Sequence, residues 1–298
     1  MFHQRLSNTL ISSAMAEEMD AQKLLLGRQL SMQVSQIQNI ESLGEVEFSV
    51  FSQFGDDGII QYLINNIPIS CKNFIEFGVE HYAESNTRFL LMNDNWSGYV
   101  IDGSEKNILK LRKAYYYWRY DIQSVAAFVE KDNINELLEG SGFGEEIGIL
   151  SIDIDGNDYW VWQAMSVVQP IVTIVEYNSV FGPKRKITVP YEKAFDRRIA
   201  HFSGLYYGAS LSALDDLART KGYSFVGCNS AGNNAYFIRS DCLGGFKTLL
   251  PTDGYVESKF RESRDAKGDL TYLRGVERLE AIKGLPVVNV ETGDQEVI

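Results

Sequence analysis

Phe74-Ile-Glu-Phe-Gly-Val-Glu80 is the stretch that decides the fold of this chain, because a short apolar run in it ends on an acid and a glycine. Further β-branched or aromatic runs follow, and an acid closes each one. These runs and their acids are 98–102 with Asp102, 125–128 with Glu130 and Asp132, 149–152 with Asp153, and 171–175 with Glu176. Five strands that end in carboxylates indicate one edge of a parallel sheet, and in an open α/β sheet that edge binds ligands.

Segments with a helical pattern separate these strands, and a helix and two more strands follow them. The helical segments are 84–92, 105–118, 134–138, 159–167 and 210–221, and the late strands are 223–228 and 235–239. Strands that alternate with helices form right-handed βαβ units and therefore a parallel sheet. The sequence thus predicts an α/β fold, a Rossmann-like seven-stranded sheet that is mostly parallel with one antiparallel strand.

The chain is predicted to have three parts: an N-terminal helical arm at 1–50, a ligand-binding domain at 51–245 with a covering insertion at 180–209, and a C-terminal extension at 246–298. The insertion has little strand or helix pattern.

Both flanking parts are predicted to contain helix. In the arm, residues 8–43 carry an apolar stripe that includes Leu10, Met15 and Leu26. That stripe packs either on its own domain or on a second copy in a homodimer, and the pattern leaves both interpretations open. The tail is predicted to hold a charged helix at 260–283 and an apolar stretch at 285–290.

Composition limits the classes of partner. The 298 residues carry a formal net charge of −12, which argues against a nucleic-acid backbone as ligand because phosphate contacts need a basic surface. The three cysteines have no zinc or disulfide spacing, which fits a cytoplasmic location. No apolar stretch reaches the roughly 18–20 residues of a membrane span.

The loop after the first strand indicates the charge of the ligand. Gly78 lets the backbone approach a ligand closely. Val79-Glu80-His81 stands where a dinucleotide fingerprint has its later glycines. The loop therefore lacks the glycines that let a backbone approach a pyrophosphate closely. Glu76 and Glu80 would also repel it. The loop therefore favours a ligand that carries an ammonium or sulfonium group.

Acids after the next two strands indicate a nucleoside. Asp102 can accept hydrogen bonds from both hydroxyls of a ribose. Asp132 or Asn133 after the third strand can bind an adenine amine. A nucleoside without phosphate that carries a positive charge matches S-adenosylmethionine, although single acids at strand ends are more often helix caps or turn residues.

The motifs resemble those of the FkbM-like family of S-adenosylmethionine-dependent methyltransferases over about residues 50–240. They are Phe51-Ser-Gln-Phe-Gly-Asp-Asp-Gly58, Phe74-Ile-Glu-Phe-Gly-Val-Glu80, Glu84-Ser-Asn-Thr87, Trp96-Ser-Gly-Tyr-Val-Ile-Asp102, Ile152-Asp-Ile-Asp-Gly-Asn-Asp158, Val175-Glu-Tyr-Asn178 and Asn234-Ala-Tyr-Phe-Ile238. Glu80-His81-Tyr82 departs from the family, which has a small turn there.

The resemblance implies methyl transfer to an oxygen, often of a sugar or natural product. Its motifs imply that the cofactor is held by Gln53, Glu76, Gly78, Asn86, Asp102 and Asp153, together with Asp132 or Asn133. A hydroxyl acceptor needs a base or a metal to remove its proton. Asp155, Asp158 and His201 are the predicted catalytic residues. A structural role for His201 is an alternative.

A metal site is predicted where the fourth and fifth strands end. Asp155, Glu176 and Asn178 would supply three oxygen ligands, which suits Mg²⁺. The arrangement is similar to that of metal-dependent O-methyltransferases such as catechol O-methyltransferase. The alternative is that Asp155 and Asp158 cap the following helix and that Asn178 caps a turn.

The insertion carries a basic island in an otherwise acidic chain. Lys184, Arg197 and Arg198 are predicted to clamp a phosphate or carboxylate of the acceptor, with Tyr206 beside it. A solvated charged face is the alternative interpretation.

The sequence is best interpreted as that of an enzyme for S-adenosylmethionine-dependent O-methylation of a small hydroxylated, anionic or neutral acceptor. A metal-dependent oxygenase or hydrolase, or a catalytically inactive binding scaffold on the same sheet, are the rival interpretations.

Overall fold

The structure, a computed structural model, describes the backbone of residues 2–298 and the side chains of residues 14–298. Leu10 and its neighbours at 8–13, part of the predicted apolar stripe, therefore lie outside the described side chains. The α-helices are α1 Phe2–Val34, α2 Asp56–Asn66, α3 Arg88–Asp94, α4 Glu105–Arg112, α5 Ile134–Glu139, α6 Asp158–Ala164, α7 Arg197–Ala200, α8 Leu211–Thr220, α9 Pro251–Gly254 and α10 Val276–Glu280.

Seven strands form the main sheet, in the order β3-β2-β1-β4-β5-β8-β7. The strands of the chain are β1 Asn73–Phe77, β2 Ser97–Asp102, β3 Ile122–Ala126, β4 Glu146–Ile152, β5 Gln169–Glu176, β6 Ile187–Thr188, β7 Tyr223–Cys228, β8 Asn234–Arg239, β9 Pro286–Asn289 and β10 Gln295–Val297. Neighbours pair in parallel except at β8, which is antiparallel to both β5 and β7. The predicted α/β fold with one antiparallel strand is confirmed.

The sheet is buried on both faces, as a parallel sheet requires. One apolar cluster includes Val46, Phe89 and Ile149 beneath α2 and α3, and the other includes Ile147 and Trp162 beneath α6 and α8. The residues of β4 and β5 from Ile147 and Pro170 onward are all buried, so their apolar runs belong to the centre of the sheet.

Several predicted helices are longer than the real ones. α3 begins at Arg88 rather than at residue 84, because the backbone N–H groups of Asn86 and Thr87 bond to Glu76. α4 ends at Arg112, and turns follow it. The helix predicted at 260–283 is wrong except for α10.

The insertion and the tail form a second, smaller sheet that the sequence pattern does not predict. β6 in the insertion pairs with β9, and β9 pairs with β10. A third apolar cluster, which includes Phe195, Tyr207 and Val287, joins these two parts of the chain. Among the described residues, no helix combines the length and the apolar character needed to span a membrane.

Candidate active site

A cleft of about 580 Å³ opens where β1, β2, β4 and β5 end. The strand register explains why acids meet there. Phe77 pairs with Ile101 and Ile152, and Ile152 pairs with Val175, so the residues that follow these positions lie side by side. Six of the eight residues predicted to hold the cofactor line the cleft: Gln53, Glu76, Gly78, Asn86, Asp102 and Asp153. Asp132 and Asn133 do not line it.

Glu76 is buried at the end of β1, and its carboxylate is occupied by its own loop. It accepts hydrogen bonds from the backbone N–H groups of Asn86 (2.9 Å) and Thr87 (3.2 Å) and from the hydroxyls of Ser85 and Thr87. Burial raises the pKa of Glu76. Glu76 therefore holds the loop that leads into α3. In the same loop, Asn86 Nδ2 donates a hydrogen bond to Ser151 Oγ on β4 at 3.1 Å.

Gly78 lies where two strand ends approach each other most closely. Its φ is +73°, and a Cβ placed on it would lie 1.6 Å from the carbonyl oxygen of Asp153. Only glycine fits both the left-handed backbone and the contact.

The unusual Glu80-His81-Tyr82 turn completes this loop. Glu80 and Tyr82 both have positive φ, which is uncommon for residues with side chains. Tyr82 is fully buried, and its hydroxyl contacts that of Thr87 at 2.8 Å. The buried tyrosine thus anchors this turn and keeps the loop folded.

Asp102 ends β2 and retains room for a ligand. Its carboxylate accepts hydrogen bonds from the backbone N–H groups of Glu80 (2.7 Å) and Ser104 (2.8 Å) and from Asn107 Nδ2 (3.2 Å). A carboxylate has about four acceptor positions, so about one remains for a group in the cleft.

An apolar slot lies beside Asp102, and the sequence pattern does not predict it. Gly103, Phe128 and Val129 line it, and the Phe128 side chain is half exposed. Asn133 instead caps its own turn, accepting from Glu130 N and donating to the carbonyl of Phe128, and Asp132 is exposed outside the lining. The slot was missed because Phe128 has the apolar character of the strand before it.

Three carboxylates meet at the ends of β4 and β5. One oxygen from each of Asp153, Asp155 and Glu176 lies within 4.8 Å of the others, and we call these residues the carboxylate triad. Burial raises the pKa values of Asp153 and Glu176 well above their usual range, and the neighbouring carboxylates raise them further. Nη1 of Arg197 lies 2.8 Å from Asp155 Oδ1.

Asn178, the third predicted metal ligand, does not join the triad. Its amide donates to the carbonyls of Leu205 and Tyr207, both at 2.9 Å, and its Oδ1 accepts from Val180 N. Because its polar atoms hold the insertion and a turn, the structure brings Asp153 to Asp155 and Glu176 in its place.

Two of the three predicted catalytic residues lie outside the lining of the cleft. Asp158 is fully buried and accepts from the backbone N–H groups of Ile154 and Gly156, while burial raises its pKa to about 6. His201 bonds to Ser203 Oγ at 2.8 Å and stacks on Phe202. Asp155 does line the cleft.

The basic island separates into two parts. Arg197 and Arg198, two of the residues predicted to clamp an anionic acceptor, line the cleft. Lys184 is exposed away from it, and Tyr206 donates its hydroxyl to the carbonyl of Pro286 in β9. Three further basic side chains of the insertion form ion pairs with acids. The pairs are Arg185 with Glu296, Lys186 with Asp216 and Glu291, and Lys193 with Glu130.

Distant segments complete the far wall of the cleft. Phe54 and Phe260 stack with their ring centroids 5.5 Å apart, and Glu262 of the tail lies near them. Asp56 is buried there and accepts hydrogen bonds from Asn234 and Tyr236. No local pattern could have joined residues so far apart in the chain.

No protein-family model matches the sequence, and no curated protein matches it, so the FkbM-like resemblance stays unconfirmed. Solved structures do resemble the fold. The N-terminal domain of EvdMO1 with S-adenosylhomocysteine bound is 10% identical over 71% of this chain and 93% of that one, with a TM-score of 0.40. An S-adenosylmethionine-dependent methyltransferase from Clostridium acetobutylicum is 10% identical over 61% and 89%, with a TM-score of 0.39.

The structure of M. capricolum TrmK in complex with S-adenosylhomocysteine is 12% identical, with a TM-score of 0.36. That match covers 57% of this chain and spans about three fifths of the other, 61% of its length. Similarity at these sequence identities and TM-scores concerns the fold alone. The function proposed for this chain therefore rests on the residues of the cleft.

Proposed function

We propose that the protein is an S-adenosylmethionine-dependent O-methyltransferase that acts on a small hydroxylated acceptor. The observation that carries the proposal is the combination, in one cleft, of an acid with an acceptor position left for a ligand, an apolar slot beside it and a carboxylate cluster. A nucleoside with a positively charged tail complements these three features. The motif resemblance to the FkbM-like family supports the same proposal.

The cofactor would lie along the ends of β1 to β4. Asp102 would accept from the ribose hydroxyls, and the adenine would enter the slot against Phe128 and Val129. The methionine end would pass Gly78, where the carboxylates favour its ammonium and sulfonium charges. Glu76 contributes to this end by fixing the loop.

The reaction is an in-line displacement. The acceptor oxygen forms a bond to the methyl carbon as the carbon–sulfur bond breaks, and S-adenosylhomocysteine leaves. The proton of the acceptor hydroxyl passes to a carboxylate of the triad. The cleft contributes mainly by holding the two reactants in line.

The acceptor would lie against the wall of the cleft that Phe54 and Phe260 form. Arg198, for which the structure records no ion pair among the described residues, would contact an anionic group, and Phe54 and Phe260 would pack on an apolar face. We propose Mg²⁺ as an accessory ion. The triad offers it hard oxygen ligands, and it would lower the pKa of an acceptor hydroxyl.

Isothermal titration of the full chain with S-adenosylhomocysteine tests the cofactor site. We expect one site, weakened about 5- to 150-fold in Phe128→Ala, because stacking of a base on an aromatic ring contributes about 1–3 kcal/mol. Phe202→Ala is the matched control, since both rings are 50% exposed and Phe202 lies outside the cleft lining.

The outcomes separate the rivals. Failure to bind S-adenosylhomocysteine would refute the proposal, and equal weakening by both variants would refute the slot. Release of S-adenosylhomocysteine from S-adenosylmethionine with a hydroxylated acceptor is the expected activity. Binding without transfer to any of a panel of acceptors would favour the inactive scaffold.

A further inference from the structure

The carboxylate triad presents oxygens that lack hydrogen-bond donors. Oε2 of Glu176 is buried without a partner among the described residues, and Glu176 is only 6% exposed. Asn157, on the same lining and 3% exposed, likewise has an unpartnered buried Oδ1. Buried polar atoms are normally satisfied, so these two atoms leave the cleft with acceptor positions for a further group. Since both atoms are acceptors, that group supplies protons or positive charge.

Arg197 is the cation that the chain itself brings to the triad. Arg197 is the first residue of α7 in the insertion, and Asp196 caps the first turn of that helix. Its recorded hydrogen bond to the triad is the one from Nη1 to Asp155, and its guanidinium lies 5.1 Å from the centroid of the Tyr207 ring. Among the described residues, this guanidinium forms an ion pair with Asp155 and none with Asp153 or Glu176.

The spacing of the triad suits a single metal ion. Two oxygens on opposite sides of one ion at about 2.1–2.4 Å would be about 4.2–4.8 Å apart, and the triad oxygens lie within 4.8 Å of one another. The strand register fixes Asp153 beside Glu176, whereas Asp155 is exposed and faces water. A site with few protein ligands and open water positions is typical of Mg²⁺ or Mn²⁺.

We propose that the carboxylate triad binds one divalent cation in exchange for the guanidinium of Arg197, and that this exchange releases the contact between Arg197 and Asp155 that ties α7 to the triad. The cation brings two positive charges where Arg197 brings one, and Asp155 is shared between them. The exchange regulates the same cleft and, for its role in turnover, rests on the proposed function. Cation binding itself does not depend on methyl transfer.

Titration with Mn²⁺, followed by electron paramagnetic resonance of the free ion, measures the binding directly. We expect one site in the full chain. Arg197→Met should bind Mn²⁺ about tenfold or more tightly, because it removes a competing positive charge at contact distance. Glu176→Gln should bind it about tenfold or more weakly, because it removes a charged ligand. Arg198→Met, a change at the adjacent arginine, should differ from the unaltered chain by about twofold or less.

Several results would overturn the inference. Absence of Mn²⁺ binding at millimolar concentration in both the unaltered chain and Arg197→Met would exclude the site. Binding by Arg197→Met alone, or equal affinities of the two chains, would exclude the exchange. Binding of S-adenosylhomocysteine by each variant shows that it is folded. Mn²⁺ binding without S-adenosylhomocysteine binding in the unaltered chain would refute the proposed function and leave the cation site standing.

Discussion

Gly78 shows how a single residue positions the site. It lets the end of β1 approach the end of β4 while its N–H donates to the carbonyl of Ile101 at the end of β2. Three strand ends are therefore joined at one residue without a side chain. Any Cβ would push Asp153 away and disturb both the triad and the loop that follows β1.

Gly78→Ala should lower the free energy of unfolding by about 3 kcal/mol or more, since strain from positive φ adds about 1–2 kcal/mol to a backbone clash. Gly142→Ala is the control: its φ is +70°, and a Cβ there would meet nothing within 4 Å. Gly142→Ala should lower the free energy of unfolding only by the cost of the backbone strain. Urea unfolding measures both, and equal losses would show that the contact with Asp153 is unimportant.

Among the elements, α1 is tied through Arg88 to the loop between β1 and α3. The Arg88 side chain is 5% exposed, pairs with Asp20 of α1 and donates to the carbonyl of Ala83 at 3.0 Å. Its guanidinium lies 4.0 Å from the ring centroid of Phe51 and 4.4 Å from that of Tyr116. The N-terminal helix therefore supports the segment that Glu76 holds from the other side.

Asp20→Asn should lower the free energy of unfolding by about 3 kcal/mol, because breaking a buried ion pair leaves Arg88 uncompensated. We also expect faster amide hydrogen exchange at residues 83–87. Glu17→Gln on the same helix breaks the pair with Arg119, whose partners are both 41% exposed, and should cost less than about 1 kcal/mol. Unaltered exchange in Asp20→Asn would contradict the coupling.

In the molecule as a whole, α1 has a second apolar face, and its side chains are exposed in the described chain. Its packed face is narrow: Gly27 lies against Val50 and Phe89, and Ser31 and Val34 are buried beside it. On another face the exposed apolar side chains are Met15, Met19, Leu26 and Leu30. Between them the exposed residues are mostly uncharged, which allows contact between two copies despite a net charge of −12 on each.

We therefore expect a homodimer through this face. Light scattering after gel filtration should give about twice 33.7 kDa for the unaltered chain and 33.7 kDa for the double variant Leu26→Glu with Leu30→Glu. Val276→Glu is the control, since Val276 is 70% exposed on α10, and it should leave the mass unchanged. A monomeric unaltered chain at micromolar concentration would refute this prediction.

The sequence by itself determined the sheet. The acid-terminated apolar runs predicted all five parallel strands that begin the domain, and the late hairpin predicted β7 and β8. This worked because a strand buried on both faces is apolar along its length, so its position and its carboxyl end are visible locally. Gly78, Asp102 and Asp155 lie at or just after the ends of such strands, so their place in the cleft could also be predicted from the sequence.

Only the tertiary structure decided which polar groups are free to act. Glu76, Asn178 and Asp158 have the residue types of a functional site, but their atoms are occupied by neighbouring backbone groups, whereas Glu176 Oε2 is left without a donor. Phe260 and the small sheet of β6, β9 and β10 depend on contacts between segments far apart in the chain. Hydrogen-bond satisfaction and long-range packing are properties of the folded arrangement, and they have no local pattern in the sequence.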